Sequence, residues 1–496
     1  MDFIKLIKSI YSVALLIFSM ISVAGLIALR QTNLSDSVHP AFAYVLFIGA
    51  ITWLTMIEGG QGSLVGLQPV KTDLYKDSHA KAYKSTAITT KGDNLDRYLL
   101  GRQLMVVIVV FCVNMSAGPV GGAEIWGYPS WLKNVFFEFG LAMILITCMI
   151  GQLNSQVNAS LCMLDYINNY FSLFTVWVAM AIEFSGLLHA SYLIQILVSL
   201  MAGKKIESNE PPRSGMKNVF FWARILFSCT VLAFCTAVTM IALFEGKTTM
   251  WEGVPASVAL IVFIVLMCVV GMLEGMQIAF FAVAKLPASE RGNSFFAMKT
   301  CHLLFQGEGN NLPGFMIGRQ LCVVSCMFFV ARVTSVDMKG EANLFGVPDF
   351  IQDFFETGLL GALMLTIIGS ISWQLVASAF PIAFLSNPIT YILLRWCLLL
   401  ENTGICQGAW VIAAVHKKIA GFQRDEVYIG TAEERAKQSM ADDDDALQLG
   451  AGHLVKLPNF TMGAPHALQV LIQQDSAVEK YIADLAEKLE EGDQKA

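Results

Sequence analysis

Ten apolar stretches, each long enough to cross a lipid bilayer as a helix, limit this chain more than any other feature. A bilayer core takes about 20 apolar residues per helix. Stretches of that kind fall at about 7–29, 41–57, 99–117, 133–154, 170–200, 220–243, 256–273, 316–333, 352–373 and 388–414. Only 15% of the 496 residues are charged and 55% are hydrophobic, against roughly 25% and 45–50% in soluble domains. Lipid must be the solvent for most of such a chain, so the expected class is an all-α polytopic membrane protein with ten transmembrane helices.

The charge sits at one end. From Val415 onward there are 15 acidic and 9 basic residues, which accounts for the whole net charge of −6. Nothing in this distribution suits nucleic acid. The 11 cysteines form no CxxC pair and most lie in apolar runs, where a thiol packs as a small hydrophobe. The first apolar stretch lacks the short core and processing site of a cleavable signal, so it reads as the first span. Lys and Arg in the connecting segments number fourteen on the side of the N-terminus and nine on the other, which places both termini in the cytoplasm. The sequon Asn33-Leu34-Ser35 then lies outside.

An internal repeat changes the reading. Glu58-Gly59-Gly60-Gln61 returns as Glu274-Gly275-Met276-Gln277, and Gly101-Arg102-Gln103-Leu104 as Gly318-Arg319-Gln320-Leu321. Phe136-Phe137-Glu138-Phe139-Gly140 matches Phe354-Phe355-Glu356-Thr357-Gly358. Gly151, Gln156, Glu183 and Gly186 match Gly369, Gln374, Glu401 and Gly404. Every offset is 216 to 218 residues. Five spans per half is an odd number, so the second half must enter the membrane from the opposite face. Two inverted five-helix repeats, 1–203 and 204–414, are the expected architecture, and inverted repeats underlie many secondary transporters. Channels use them too.

The repeated motifs join costly residues to permissive ones. Glycine lets a ligand or a second helix approach the backbone. A glutamine amide both donates and accepts, which suits a neutral, polyhydroxylated solute better than a charge does. Glu58 and Glu274 are ionisable residues at membrane depth, a functional signal by default. The same residues also allow a plainer role: Glu58 with Arg102, and Glu274 with Arg319, can be ion pairs joining neighbouring helices. No nucleophile–base pair or metal triad lies at transmembrane depth, which argues against an enzyme.

These paired EGxQ and GRQ motifs, with Cys162-Met163-Leu164-Asp165 after the fourth span, resemble the silicon transporters of diatoms. The ten-span layout and the C-terminal heptads match as well, so the resemblance covers essentially the whole chain. It implies sodium-coupled uptake of orthosilicic acid through the plasma membrane. It also implies that Gln61, Gln103, Gln277 and Gln320 are substrate ligands, with Gly60, Gly101, Gly275 and Gly318 shaping the site. Silicic acid is tetrahedral and mostly uncharged near neutral pH, so an ion gradient must concentrate it. Sodium takes oxygen ligands; Glu58 and Glu274 come first, with side-chain oxygens such as those of Thr147 and Asn154 as further candidates. A passive facilitator of neutral hydroxylated solutes and a sensor that binds without transport remain alternatives.

Other signals are weaker. Gly66-Leu67-Gln68-Pro69 reads as a turn, and Asn387-Pro388 as half of an aquaporin signature without its partner. Cys162 with Asp165 supplies two of the four ligands that a zinc site needs. The loops carrying His79 and His302 share Gly92/Gly309, Asn94/Asn311 and Leu95/Leu312 and read as connectors. Residues 415–465, with the run Asp442 to Asp445, form an acidic linker. At 466–492, Leu468, Leu471, Asp475, Val478, Ile482, Leu485 and Leu489 keep heptad spacing, which suits either a coiled coil for homo-oligomerisation or a cytoplasmic partner, or an amphipathic helix lying on the protein's own surface.

Overall fold

The computed structural model describes residues 3–430, apart from 36, 68–69, 203–209, 211–213, 252, 285–293, 307–310, 338–343 and 357. The coiled coil at 466–492, the acidic run at 442–445, Gln68-Pro69, Gly309 and the boundary between the two proposed halves lie outside the described residues.

The described chain is all helix, with isolated bridges only between loops, at Thr32 with Pro119 and at Thr248 with Val336. Its main helices are α1 (Phe3–Ala28), α2 (Pro40–Gly66), α3 (Ala80–Thr89), α4 (Asn94–Ala117), α5 (Ser130–Glu138), α6 (Leu141–Ala159), α7 (Met163–Ile167), α8 (Tyr170–Phe184) and α9 (Ala190–Ala202). There follow α10 (Gly215–Phe244), α11 (Ala256–Ala284), α12 (Phe295–Leu304), α13 (Leu312–Thr334), α14 (Asp349–Glu356), α15 (Leu359–Gln374), α16 (Pro381–Leu385), α17 (Pro388–Asn402) and α18 (Gly408–Ala420).

Helix starts follow local chemistry. Pro40 opens α2, where its missing N–H is no loss, and His39 Nδ1 accepts from the Ala41 amide at 3.2 Å. Asn169 Oδ1 caps α8 through the Ser172 amide at 2.8 Å. Asn387 does the same for α17 through Ile389 at 3.0 Å, with Pro388 in the first turn. Asn387-Pro388 is therefore a helix start.

Ten continuous spans are not what the structure contains. Among the described residues six helices are long and apolar enough to cross a membrane, and eight spans result if each bent pair counts as one. The bent pairs are α5–α6, at 48°, and α14–α15, at 50°. They fold at Gly140 and Gly358, both left-handed at φ 70 and 77, a conformation that glycine adopts without strain. The expected fifth and tenth spans are each split, into α8 and α9 and into α17 and α18, at Gly186 (φ 86) and Gly404 (φ 75). Hydropathy alone does not register a break that leaves both flanks apolar.

Helices from the N-terminal and C-terminal parts of the chain interlock. Leu100, Leu104, Val107 and Phe111 of α4 belong to a hydrophobic core made mostly by residues beyond 230, while Ile317, Leu321 and Val324 of α13 belong to the core of the N-terminal part. Phe328 of α13 lies where a side chain on Gly140 would go, and Phe111 of α4 lies likewise against Gly358. Helix α9 packs on residues 372–379, and α18 packs on α6 and α1. Residues 415–430 are part of this body: α18 runs to Ala420, and Asp425 is bonded to α7.

Candidate functional site

Two polar clusters interrupt the apolar interior, and each is built from three helices. In the first, Arg102 Nη1 on α4 lies 3.5 Å from Glu58 Oε2 on α2. Arg102 Nη2 also donates to Gln103 Oε1 at 2.6 Å. From α6, Gln156 Nε2 donates to Glu58 Oε2 at 3.1 Å and Gln152 Nε2 to Glu58 Oε1 at 3.4 Å. In the second cluster, Arg319 Nη1 on α13 donates to Glu274 Oε1 on α11 at 3.1 Å, and Arg319 Nη2 to Gln320 Oε1 at 2.5 Å. Gln374, on the helix of α15, donates from Nε2 to Glu274 Oε2 at 2.9 Å. All four charged residues are nearly inaccessible, from 2% exposed for Arg319 to 6% for Glu274.

Burying a charge without a partner costs several kcal/mol, and pairing offsets that cost only when the remaining hydrogen bonds are good. Here each carboxylate meets one guanidinium and one or two amides, so each cluster is neutral overall. Not every atom is satisfied. Arg102 Nε and Nη1, Arg319 Nε and Gln152 Oε1 are buried without a hydrogen-bond partner. Three donors and one acceptor are thus left over at the clusters, the set that a neutral hydroxylated molecule can meet from both directions.

The helix that supplies the amides is deformed in both places. Residues Thr147–Leu153 of α6 and Leu365–Ile371 of α15 form wide π-helical turns, a local widening frequent at functional sites. The first π turn packs on α13 and the second on α4, so each lies against the helix that carries the other GRQ motif. Between α4, α6 and α13 lies a cavity of about 30 Å³, lined among others by Asn114, Thr147, Val324 and Met327. That volume admits water.

A family model described as silicon transporter matches residues 1–493. The chain belongs to the silicon transporter family. Membership makes it a multi-pass membrane transporter, not an enzyme, and implies silicic acid as its cargo. No curated protein and no solved structure matches the chain.

Within this silicon transporter the motif glycines differ in their surroundings. A Cβ on Gly101 would overlap the carbonyl oxygen of Ala179, and one on Gly318 that of Cys397, so both are points of helix-to-helix contact. Gly275 faces the Phe384 ring, 2.6 Å from a would-be Cβ, while Gly60 faces the Tyr98 hydroxyl at 3.3 Å. Gln103 and Gln320 are buried, with their carbonyl ends taken by the adjacent arginines. Gln61 and Gln277 are half-buried, and neither side chain has a hydrogen-bond partner among the described residues. Of the further oxygen candidates, Thr147 lines the water-sized cavity. Asn154 Oδ1 lies 3.3 Å from Asn158 Nδ2 and from His416 Nδ1.

Around the segment from Cys162 to Asp165, as elsewhere among the described residues, no group of three metal-type ligands is assembled. Asp165 is instead a knot of contacts. His79 Nε2 lies 3.2 Å from its carboxylate, the Gln423 amide donates to it at 2.7 Å, and the Tyr428 hydroxyl is within 3.4 Å. His79, read from sequence as part of an ordinary connector, is buried here. Gln152, Gln374 and Ser370 had no assigned role in the sequence reading. The 218-residue offset marked Gln156 with Gln374 but not their purpose, because nothing in the sequence tells which amides reach a carboxylate three helices away.

Proposed function

We propose that this silicon transporter is a sodium-coupled carrier that takes orthosilicic acid across the plasma membrane by alternating access. Its ten membrane-crossing segments, two of them split and two bent, form two five-helix halves of inverted topology. The observation that carries this reading is the pair of Gln–Glu–Arg–Gln clusters 216 to 218 residues apart, whose amide-bearing helices each pack on the GRQ helix of the opposite half. A rocking motion of one half against the other then opens one cluster as it closes the other.

Gln61, Gln103, Gln277 and Gln320 are the silicic acid ligands in this account, and Gly60, Gly101, Gly275 and Gly318 let the helices come close enough to present them. Glu58 and Glu274 hold Arg102 and Arg319 at rest and supply carboxylate oxygens to sodium when those pairs loosen. One sodium ion entering down a membrane potential contributes about 2.3 kcal/mol per 100 mV, useful work on a neutral cargo. Both termini face the cytoplasm, and the heptads at 466–492 serve self-association or a cytoplasmic partner.

Purified protein in liposomes tests the coupling. Silicon or germanium uptake under an inward sodium gradient should exceed uptake when choline replaces sodium. Equal uptake in both would leave a passive facilitator of silicic or boric acid, and binding without flux would leave a sensor.

A further inference from the structure

We infer that Gln156 and Gln374, neither of which belongs to an EGxQ or GRQ motif, are positioning residues that fix which end of the motif glutamines faces the cargo. The inference rests on the reading of Gln103 and Gln320 as silicic acid ligands.

The chemistry of each chain of contacts permits one polarity only. A carboxylate can only accept and a guanidinium can only donate. The amide atom of Gln156 or Gln374 that faces the glutamate is therefore nitrogen, at 3.1 and 2.9 Å. The atom of Gln103 or Gln320 that faces the arginine is oxygen, at 2.6 and 2.5 Å. Each chain runs from an amide N–H to carboxylate, from guanidinium to amide carbonyl, and ends on a free amide NH2. Among the described residues neither Nε2 of Gln103 nor Nε2 of Gln320 has a partner. These glutamines thus present donors, and the cargo must offer them oxygen as acceptor. Gln61 and Gln277, unpartnered at both ends, supply the acceptors for its hydroxyl protons.

The two chains differ in strength. Glu58 has a second amide donor, Gln152 at 3.4 Å. The residue 218 positions later is Ser370, which lies 3.5 Å from Gln374 Nε2 and makes no bond to Glu274. Among the described residues Gln374 is therefore the sole amide on Glu274, while Gln156 shares its task. The Arg319 pair is hydrogen-bonded at 3.1 Å, whereas Arg102 stands 3.5 Å from its carboxylate with Nη1 making no hydrogen bond.

The test is silicic acid uptake by the full-length protein in liposomes, with KM and maximal rate read separately. Gln374→Leu should raise KM about tenfold or more, the loss of a hydrogen bond to a charged group. Gln156→Leu should raise it less, and Gln152→Leu with Gln156→Leu should match Gln374→Leu. Gln374→Glu supplies a readout that simple helix packing does not move. At neutral pH its carboxylate repels Glu274, and on acidification the protonated acid donates as the amide did. Its uptake relative to wild type should therefore recover with falling pH, while that of Gln374→Leu should not. This arm also holds if the leucine variants fail to fold. Wild-type KM in the leucine variants, or no acid recovery in Gln374→Glu, overturns the inference. Gln103→Ala and Gln320→Ala in the same vesicles separate the two claims: unchanged KM in these removes the ligand reading and the inference with it, whereas raised KM in these alone removes only the inference.

Discussion

Gly101 meets the main chain of Ala179 so closely that a methyl group on its Cα would overlap the carbonyl oxygen, and Gly318 stands in the same relation to Cys397. The first residue of each GRQ motif is thus a contact between two backbones. A backbone carbonyl cannot move aside as a side chain can. Gly101→Ala and Gly318→Ala should each cost at least about 1–3 kcal/mol of stability through overpacking, seen as a lower melting temperature in detergent and less folded protein. Gly49→Ala, in open surroundings, is the control and should melt like wild type.

The ion pairs should show the cost of a stranded charge. Arg319→Met leaves Glu274 buried with, among the described residues, only Gln374 to meet it, a loss of about 3–5 kcal/mol. The double variant Glu274→Gln with Arg319→Met should recover much of that, because no bare charge remains. Arg102→Met should be milder than Arg319→Met, since its pair is longer and Gln152 and Gln156 both stay on Glu58. Thermal melts of these three variants beside wild type check the order.

Much of this was legible in the sequence for a physical reason: a buried charge in lipid has few tolerable partners, so Glu58 with Arg102 and Glu274 with Arg319 could be paired on paper. The bends at Gly140 and Gly358 were visible only as matched letters, since apolarity says nothing of φ. The breaks at Gly186 and Gly404 turned two expected continuous helices into four short ones for the same reason. Gln152 and Ser370 escaped notice because the repeat departs from itself there, and the loop histidine His79 because its partner Asp165 lies 86 residues away.

The segment after the last helix offers a test at the protein's edge. Asp425 accepts from the Met163 and Leu164 amides, both at 2.9 Å, and so caps α7 from 261 and 262 residues away. Asp425→Ala strands two N–H groups, at about 1–3 kcal/mol for a buried unsatisfied donor. Hydrogen exchange should rise in residues 163–167 and 423–429 with little change in α4. Burial, above all, raises the pKa of this carboxyl from its usual value, with Glu426 and Asp165 adding to the rise. The docked form therefore holds its proton more tightly than the undocked form. The stabilising share of this group is full below the ordinary carboxylate pKa and is lost as pH rises through the raised one. Mild acidification should protect the segment in wild type, and Asp425→Asn should lack that response.

Gln61 and Gln277 should behave alike despite the 216 residues between them. Gln61→Ala and Gln277→Ala should each lower silicic acid uptake without lowering the amount of protein at the cell surface. Full uptake by the double variant would remove both from the pathway.

Side-specific labelling is the most direct measurement. A single cysteine placed at Gln61 or at Gln277, in a chain freed of its accessible native thiols, reports which face of the membrane reaches each cluster. Alternate opening predicts labelling of the two positions from opposite sides, with sodium and silicic acid together raising one reactivity while lowering the other. Labelling of both from one side, or changes that rise and fall together, would contradict a shared passage opened at each end in turn.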